Sequence, residues 1–153
     1  MPALVEDIAS RVAVEDAVVR LFVATDDRDW PTVEACFTDP FTLDMTSMVG
    51  GSPVSTAPHQ VANAWAEGFR LLDHVHHQVG NFQTIVSGQT AAVRCHGVAF
   101  HHRAAVAVGL KSRIFVGTYQ LQLVANAERW QISELKFTLK FIDGNLELVK
   151  APA

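Results

Sequence analysis

The chain has 153 residues, 49% hydrophobic and 18% charged, with a formal net charge of −4 at pH 7. Such a length supports one domain that buries roughly 68–70% of its unfolded surface, and the apolar surplus predicts a pocket or a subunit interface beyond the core. With no basic cluster, no run of ~20 apolar residues and no basic start to Met1–Asp7, the composition argues against nucleic-acid and membrane partners and for a cytoplasmic protein.

From Leu4 to Asp26 the residues Val14, Val18, Leu21, Phe22 and Thr25 recur at helical spacing. Val18, Phe22 and Asp26 form an i, i+4, i+8 row, so Asp26 continues the apolar face, whereas Asp27 and Asp29 lie off it. A carboxylate on an apolar row is costly unless it is paired, which marks Asp26 as a pocket residue. Asp29-Trp30-Pro31-Thr32 predicts a second helix through Phe37, with Asp29 as N-cap and Pro31 in the first turn. A short strand is expected from Phe41 to Met45, then a Gly/Ser/Pro-rich loop from Thr46 to Ala57. A third helix from Pro58 to Leu72 carries Val61, Trp65 and Phe69 on one stripe.

Beyond Asp73 the chain reads as long strands separated by turns at Ser87-Gly88-Gln89, Val108-Gly109-Leu110 and Asn126-Ala127-Glu128. Alternation puts Val75, His77, Val79 and Asn81 on one face of the first strand, and Val98, Phe100 and His102 on one face of the next, Thr90 to Arg103. Ser112 to Ala125 aligns Phe115, Gly117, Tyr119, Leu121 and Leu123; Arg129 to Asp143 aligns Leu135, Phe137, Leu139 and Phe141. Helices first and antiparallel strands afterwards predict an α+β architecture with the helices on one face of the sheet. Strands of this length must curl, and a curled sheet capped by helices is a cone that encloses a pocket.

The remaining features receive simpler readings. Val93, Cys95, Gly97 and Ala99 alternate opposite to Phe100 and His102, which predicts a small apolar convex surface and a homo-oligomer joined through it. Cys36 and Cys95 have no motif spacing and are expected as buried free thiols. His74, His76 and His101 fall on the faces away from the pocket, as interface or solvated residues. The His-x-His spacing there lacks an acidic or cysteine ligand to complete a zinc site, so no metal is assigned.

Three local sequences carry a family resemblance: Ala24-Thr25-Asp26-Asp27-Arg28-Asp29-Trp30, His77-Gln78-Val79-Gly80-Asn81 and Trp130-Gln131-Ile132-Ser133. Together with the element order, they make the chain resemble the NTF2-like (cystatin-like α+β cone) superfamily, in its SnoaL-like branch that includes scytalone dehydratase. The resemblance spans about Val14 to Phe141 and implies one such domain over residues 1–153, assembled as a dimer or trimer. In scytalone dehydratase an Asp at the helix end and two strand histidines surround the reacting centre. Those roles would fall to Asp26, His77 and His102. Two tyrosines of that enzyme are replaced here by Thr25 and Met45, and the single tyrosine of the chain is Tyr119.

A carboxylate beside imidazoles in an apolar cavity is general acid–base equipment. The expected arrangement pairs Asp26 with His102, which acts as base and then acid, while His77 donates to a substrate oxygen. Tyr119, Asn81, Thr25, Met45, Phe100, Trp65 and Phe137 are the expected substrate contacts. The function expected is a cofactor-independent lyase of the dehydratase kind, acting on a flat, apolar, carbonyl-bearing cyclic molecule. Isomerisation or aldol ring closure, as in polyketide cyclases, would use the same groups. A reading from another class is a small-ligand-binding or assembly module without catalysis.

Overall fold

The computed structural model describes residues 2–150, with side chains from residue 7 onward. Helix α1 (Pro2–Asp26) buries Val14, Val18, Leu21 and Phe22 at the expected helical spacing. Thr25 sits on the same buried stripe because its hydroxyl donates back to the Leu21 carbonyl at 2.7 Å, which satisfies it inside the helix. Helix α2 (Trp30–Ala35) starts where Asp29 caps it, the carboxylate accepting from the Thr32 backbone N–H and hydroxyl.

Strand β1 (Phe37–Asp44) begins earlier than alternation suggested, and the expected loop from Thr46 to Ala57 is partly regular. It holds a single-turn helix, α3 (Thr46–Val49), and a short strand, β2 (Val54–Thr56), that pairs antiparallel with β1. The order comes from side-chain bonds. Asp44 accepts from the backbone N–H and hydroxyl of Thr46, and Ser47 bridges to the Phe137 carbonyl and the Leu139 N–H. Helix α4 (Pro58–Gly68) follows, shorter than its apolar stripe predicts.

The four long strands are β3 (His74–Ser87), β4 (Thr90–His102), β5 (Ser112–Ala125) and β6 (Trp130–Gly144). One six-stranded sheet has the order β2-β1-β6-β5-β4-β3, which leaves β3 at an edge. All pairings are antiparallel except β1 with β6, which run parallel. Register shifts at Gly80/Gln83, Val116/Gly117 and Gln122/Leu123 bend the strands, and the helices pack against the inner face of the resulting curve.

Pairing fixes which side chains face inward, and here the alternation in β4 is opposite to that expected. His77 stands opposite Ala99, and Ala99 opposite Phe115, so the inner face of β4 is Val93, Cys95, Gly97, Ala99 and His101. Phe100 and His102 point outward. The reason is compositional: both alternations of β4 carry apolar residues and the strand ends in consecutive histidines, so polarity alone does not choose between them. The small apolar surface expected on the convex side is therefore buried core. Asn81 is also displaced: it adopts φ 55° in the β3 bulge, is exposed, and passes the inward position to Phe82. Phe141 pairs with Val116 across a second bulge and turns outward, 55% exposed.

Cys36 and Cys95 are free and buried, and burial pushes their thiols up to about 11 and about 12 respectively. Small residues on the inner face make room for large ones. Gly97 lies beneath the Tyr119 ring, where a Cβ would overlap ring carbons. That ring cannot slide away, because Phe22 and Phe137 flank it with centroids 4.7 Å distant on either contact. Gly97→Ala should therefore destabilise the fold by about 1–3 kcal/mol, the usual cost of overpacking. A denaturant midpoint equal to that of the wild type would show that the ring has space to move.

Candidate active site

Asp26 is the last residue of α1, and its carboxylate reaches the edge strand β3. Oδ1 lies 2.6 Å from His77 Nδ1, and Oδ2 accepts the His77 backbone N–H at 2.8 Å. An edge strand has unpaired N–H groups, and this carboxylate satisfies one of them while holding the ring of the same residue. Both side chains are largely buried, 15% exposed for Asp26 and 10% for His77. Phe22 packs on the ring with centroids 5.3 Å apart. A carboxylate only accepts, so His77 donates its Nδ1 proton to Asp26, and in the neutral ring Nε2 is the lone-pair acceptor.

His77 lines an apolar cavity of about 120 Å³, enclosed with Thr25, Met45, Trp65, Tyr119 and Phe137. Asn81 and Phe100, expected there, lie outside it for the reasons given above. His102 is outside as well. Its Nδ1 is 2.8 Å from the Ser112 hydroxyl, and its ring faces that of His74 across the strand pair at 6.3 Å. The expected Asp26–His102 pair is thus replaced by Asp26–His77, and the inverted face of β4 is the cause.

The histidine that β4 supplies to the cavity is His101, which the sequence reading placed on the opposite side. The cue that locates it is the small-residue pair Gly97 and Gly117, which face each other in the sheet and mark the crowded inner side. Burial first, then Arg113 and to a smaller extent His77, pushes its imidazole down to about 3, so the ring is neutral. Arg113 Nε donates to His101 Nδ1 at 3.2 Å. Burial, with Cys95 and Asp26 adding to it, raises the Tyr119 phenol well above its ordinary value and keeps its proton on. The cavity is thus lined by the carboxylate-held His77, the neutral imidazole of His101 and the protonated phenol of Tyr119.

A larger trough of about 470 Å³ crosses the sheet near Asp44, Arg94, Gln120 and Lys136. It is open, and its closest charged pair, Lys136 with Asp44, is 3.8 Å apart and partly solvated. No histidine–carboxylate contact like that of Asp26 and His77 lies in it. Among the described residues no three His, Cys, Asp or Glu side chains are placed to share a metal ion, and no helix is long and apolar enough to cross a membrane.

The sequence pattern of the SnoaL-like domain matches residues 6–136. The chain belongs to the SnoaL-like family. No functionally curated protein matches this SnoaL-like domain in sequence. Among solved structures, the Kfla4162 protein of Kribbella flavida superposes with a TM-score of 0.88 at 22% identity, covering 95% of this chain and 99% of that one. A candidate scytalone dehydratase of Novosphingobium aromaticivorans DSM 12444 gives 0.78 at 14% identity, covering 91% and 89%. The hexachlorocyclohexane dehydrochlorinase LinA-type3 of Novosphingobium barchaimii LL02 gives 0.73 at 14% identity, covering 97% and 99%. At these identities the likeness is one of fold, and it supports the NTF2-like α+β cone.

Proposed function

We propose that this SnoaL-like domain is a small-molecule lyase in which His77, oriented by Asp26, takes a proton from carbon. The observation that carries this reading is the 2.6 Å contact between Asp26 Oδ1 and His77 Nδ1, made by a histidine that borders an apolar cavity. Orientation by a carboxylate fixes the tautomer and balances the charge that the ring acquires as it accepts a proton. In a dehydration, the C–H proton passes to His77 Nε2 while the carbonyl oxygen, held by the N–H of His101 and the hydroxyl of Tyr119, takes up negative charge. The enolate then expels hydroxide, which leaves as water with the proton returned by His77.

The same base serves if the leaving group is a halide, which departs without a proton, and the dehydrochlorinase among the similar folds carries out a reaction of that class by its name. A cavity of about 120 Å³ suits a ligand of one ring, since a cavity of roughly 150 Å³ accommodates benzene. The direct test is a panel of cyclic hydroxy-ketones, enones and halogenated rings, screened first for binding and then for elimination products. Binding without turnover across the panel would favour the ligand-binding reading. That alternative draws on Thr25, which spends its hydroxyl on Leu21, and on Met45, which offers no donor at all.

Self-association belongs to the same proposal, through the outer face of the sheet. Ile85 and Phe100 stand exposed there and would be covered in a dimer or trimer. Light scattering should report more than one chain per particle; the mass of a single chain at every concentration would refute the assembly.

A further inference from the structure

Arg113 is placed by the β4–β5 register directly opposite His101, on the inner face of the sheet. Its Nε lies 3.2 Å from His101 Nδ1, and its guanidinium carbon is 5.0 Å from the centroid of Phe115, which lines the cavity. The His101 ring is held by Phe69, edge-on at 5.3 Å, and by Phe115 at 5.0 Å. A guanidinium has donors and no acceptor, and it keeps its proton inside proteins. The contact therefore runs in one direction, and His101 Nδ1 must be the lone-pair nitrogen.

We propose that Arg113 is a positioning residue that locks His101 as a neutral Nε2–H donor toward the cavity. The two histidines of the pocket then hold opposite tautomers, set by opposite partners. The carboxylate of Asp26 draws the proton of His77 to Nδ1 and leaves an acceptor; the guanidinium of Arg113 drives the proton of His101 to Nε2 and leaves a donor. A ligand that satisfies both must present an acidic C–H to His77 and an oxygen or halogen acceptor to His101. That catalytic consequence rests on the lyase reading, whereas the tautomer itself does not.

The charged and titratable groups facing His101 are His77 from β3 and Arg113 from β5, and the uncharged Phe69, the residue that ends α4 as its C-cap, packs on the ring. No carboxylate among the described residues is hydrogen-bonded to it. An imidazolium at this position would meet the guanidinium directly and would lose its acceptor nitrogen, so the charged form is opposed twice.

The test is two-bond ¹H–¹⁵N spectroscopy of the full chain labelled at histidine nitrogens, which reports tautomer and charge for each ring. In the wild type, His101 should show the proton on Nε2 and remain neutral from pH 8 to pH 5, while His77 keeps a proton on Nδ1, the nitrogen that faces Asp26. Arg113→Met should release the tautomer, so that His101 populates both the Nδ1–H and the Nε2–H forms while burial still holds the ring neutral. Arg113→Lys, still a cation that only donates, should restore the Nε2–H form. A wild-type His101 protonated on Nδ1 or charged at pH 7 would overturn the proposal without any variant. So would an Arg113→Met spectrum identical to that of the wild type. Failure of every compound in the substrate panel would leave these spectra unchanged, so the two ideas fail separately.

Discussion

Replacing His77 with glutamine is expected to lower turnover about 10²–10⁴-fold, the range that a positioned general base supplies. Glutamine can still donate to Asp26, so the bond between helix end and edge strand survives in kind, but its amide offers no basic nitrogen to the cavity. The loss should appear in kcat, with ligand binding little changed. Asp26→Asn should also slow the reaction while preserving shape, since it removes the charge that balances a protonated His77 and keeps an oxygen for the His77 backbone N–H. His102→Ala is the informative control. His102 bonds Ser112 on the outer side of the sheet, so its removal should leave turnover near that of the wild type. Full activity in the His77 variant, or loss of activity in the His102 variant alone, would return the base to the other strand and refute the mechanism.

The contrast between these two histidines shows what the sequence determines and what it leaves open. Asp26 was legible because a helix has a fixed period: Val18, Phe22 and Asp26 recur every four residues and must share a side. His77 was legible because Val75 and Val79 flank it in the first half of β3, where the other alternation is His74, His76 and Gln78. In β4 the alternation is ambiguous. Val93 and Cys95 argue for one face, Val98 and Phe100 for the other, and only pairing with β3 and β5 decides. A strand's side-chain period of two means that choosing the wrong phase turns every residue over at once. His101 and His102 exchanged places for that reason alone, and the expected convex patch went with them.

Two other departures have the same origin in long-range contacts. Asn81 follows Val79 by the ordinary count, yet the bulge after Gly80 consumes a residue and breaks the count. The segment from Thr46 to Ala57 reads as a loop from its Gly, Ser and Pro content. Ser47 reaches ninety residues along the chain to Phe137, and no local pattern announces such a bond. The pocket floor was thus readable where elements are local and periodic, and unreadable where its walls depend on how strands meet.

A second large effect should appear in stability at low pH. His101 is buried and neutral, held down to about 3 by burial and by Arg113, against 6.5 for an unfolded histidine. Between those values the unfolded chain binds a proton that the folded chain refuses. More protons on the unfolded state means that stability rises with pH across the window, and is lost as pH falls through 6.5 toward 3. The slope is roughly 1.4 kcal/mol per pH unit once the unfolded ring is charged, or about 3 kcal/mol between pH 6.5 and pH 4. His101→Gln removes the titrating group and keeps a side-chain oxygen to accept from Arg113 Nε. The variant should be less stable than the wild type at pH 7, where ring packing against Phe69 and Phe115 is lost. On acidification its stability should fall less steeply, so the gap between the two proteins narrows by about 3 kcal/mol by pH 4. Carboxylates titrate in both proteins and cancel in the difference. Denaturant unfolding at matched pH values reads that difference directly, and curves that stay parallel from pH 6.5 to pH 4 would mean that His101 accepts a proton in the folded state and that Arg113 does not oppose it.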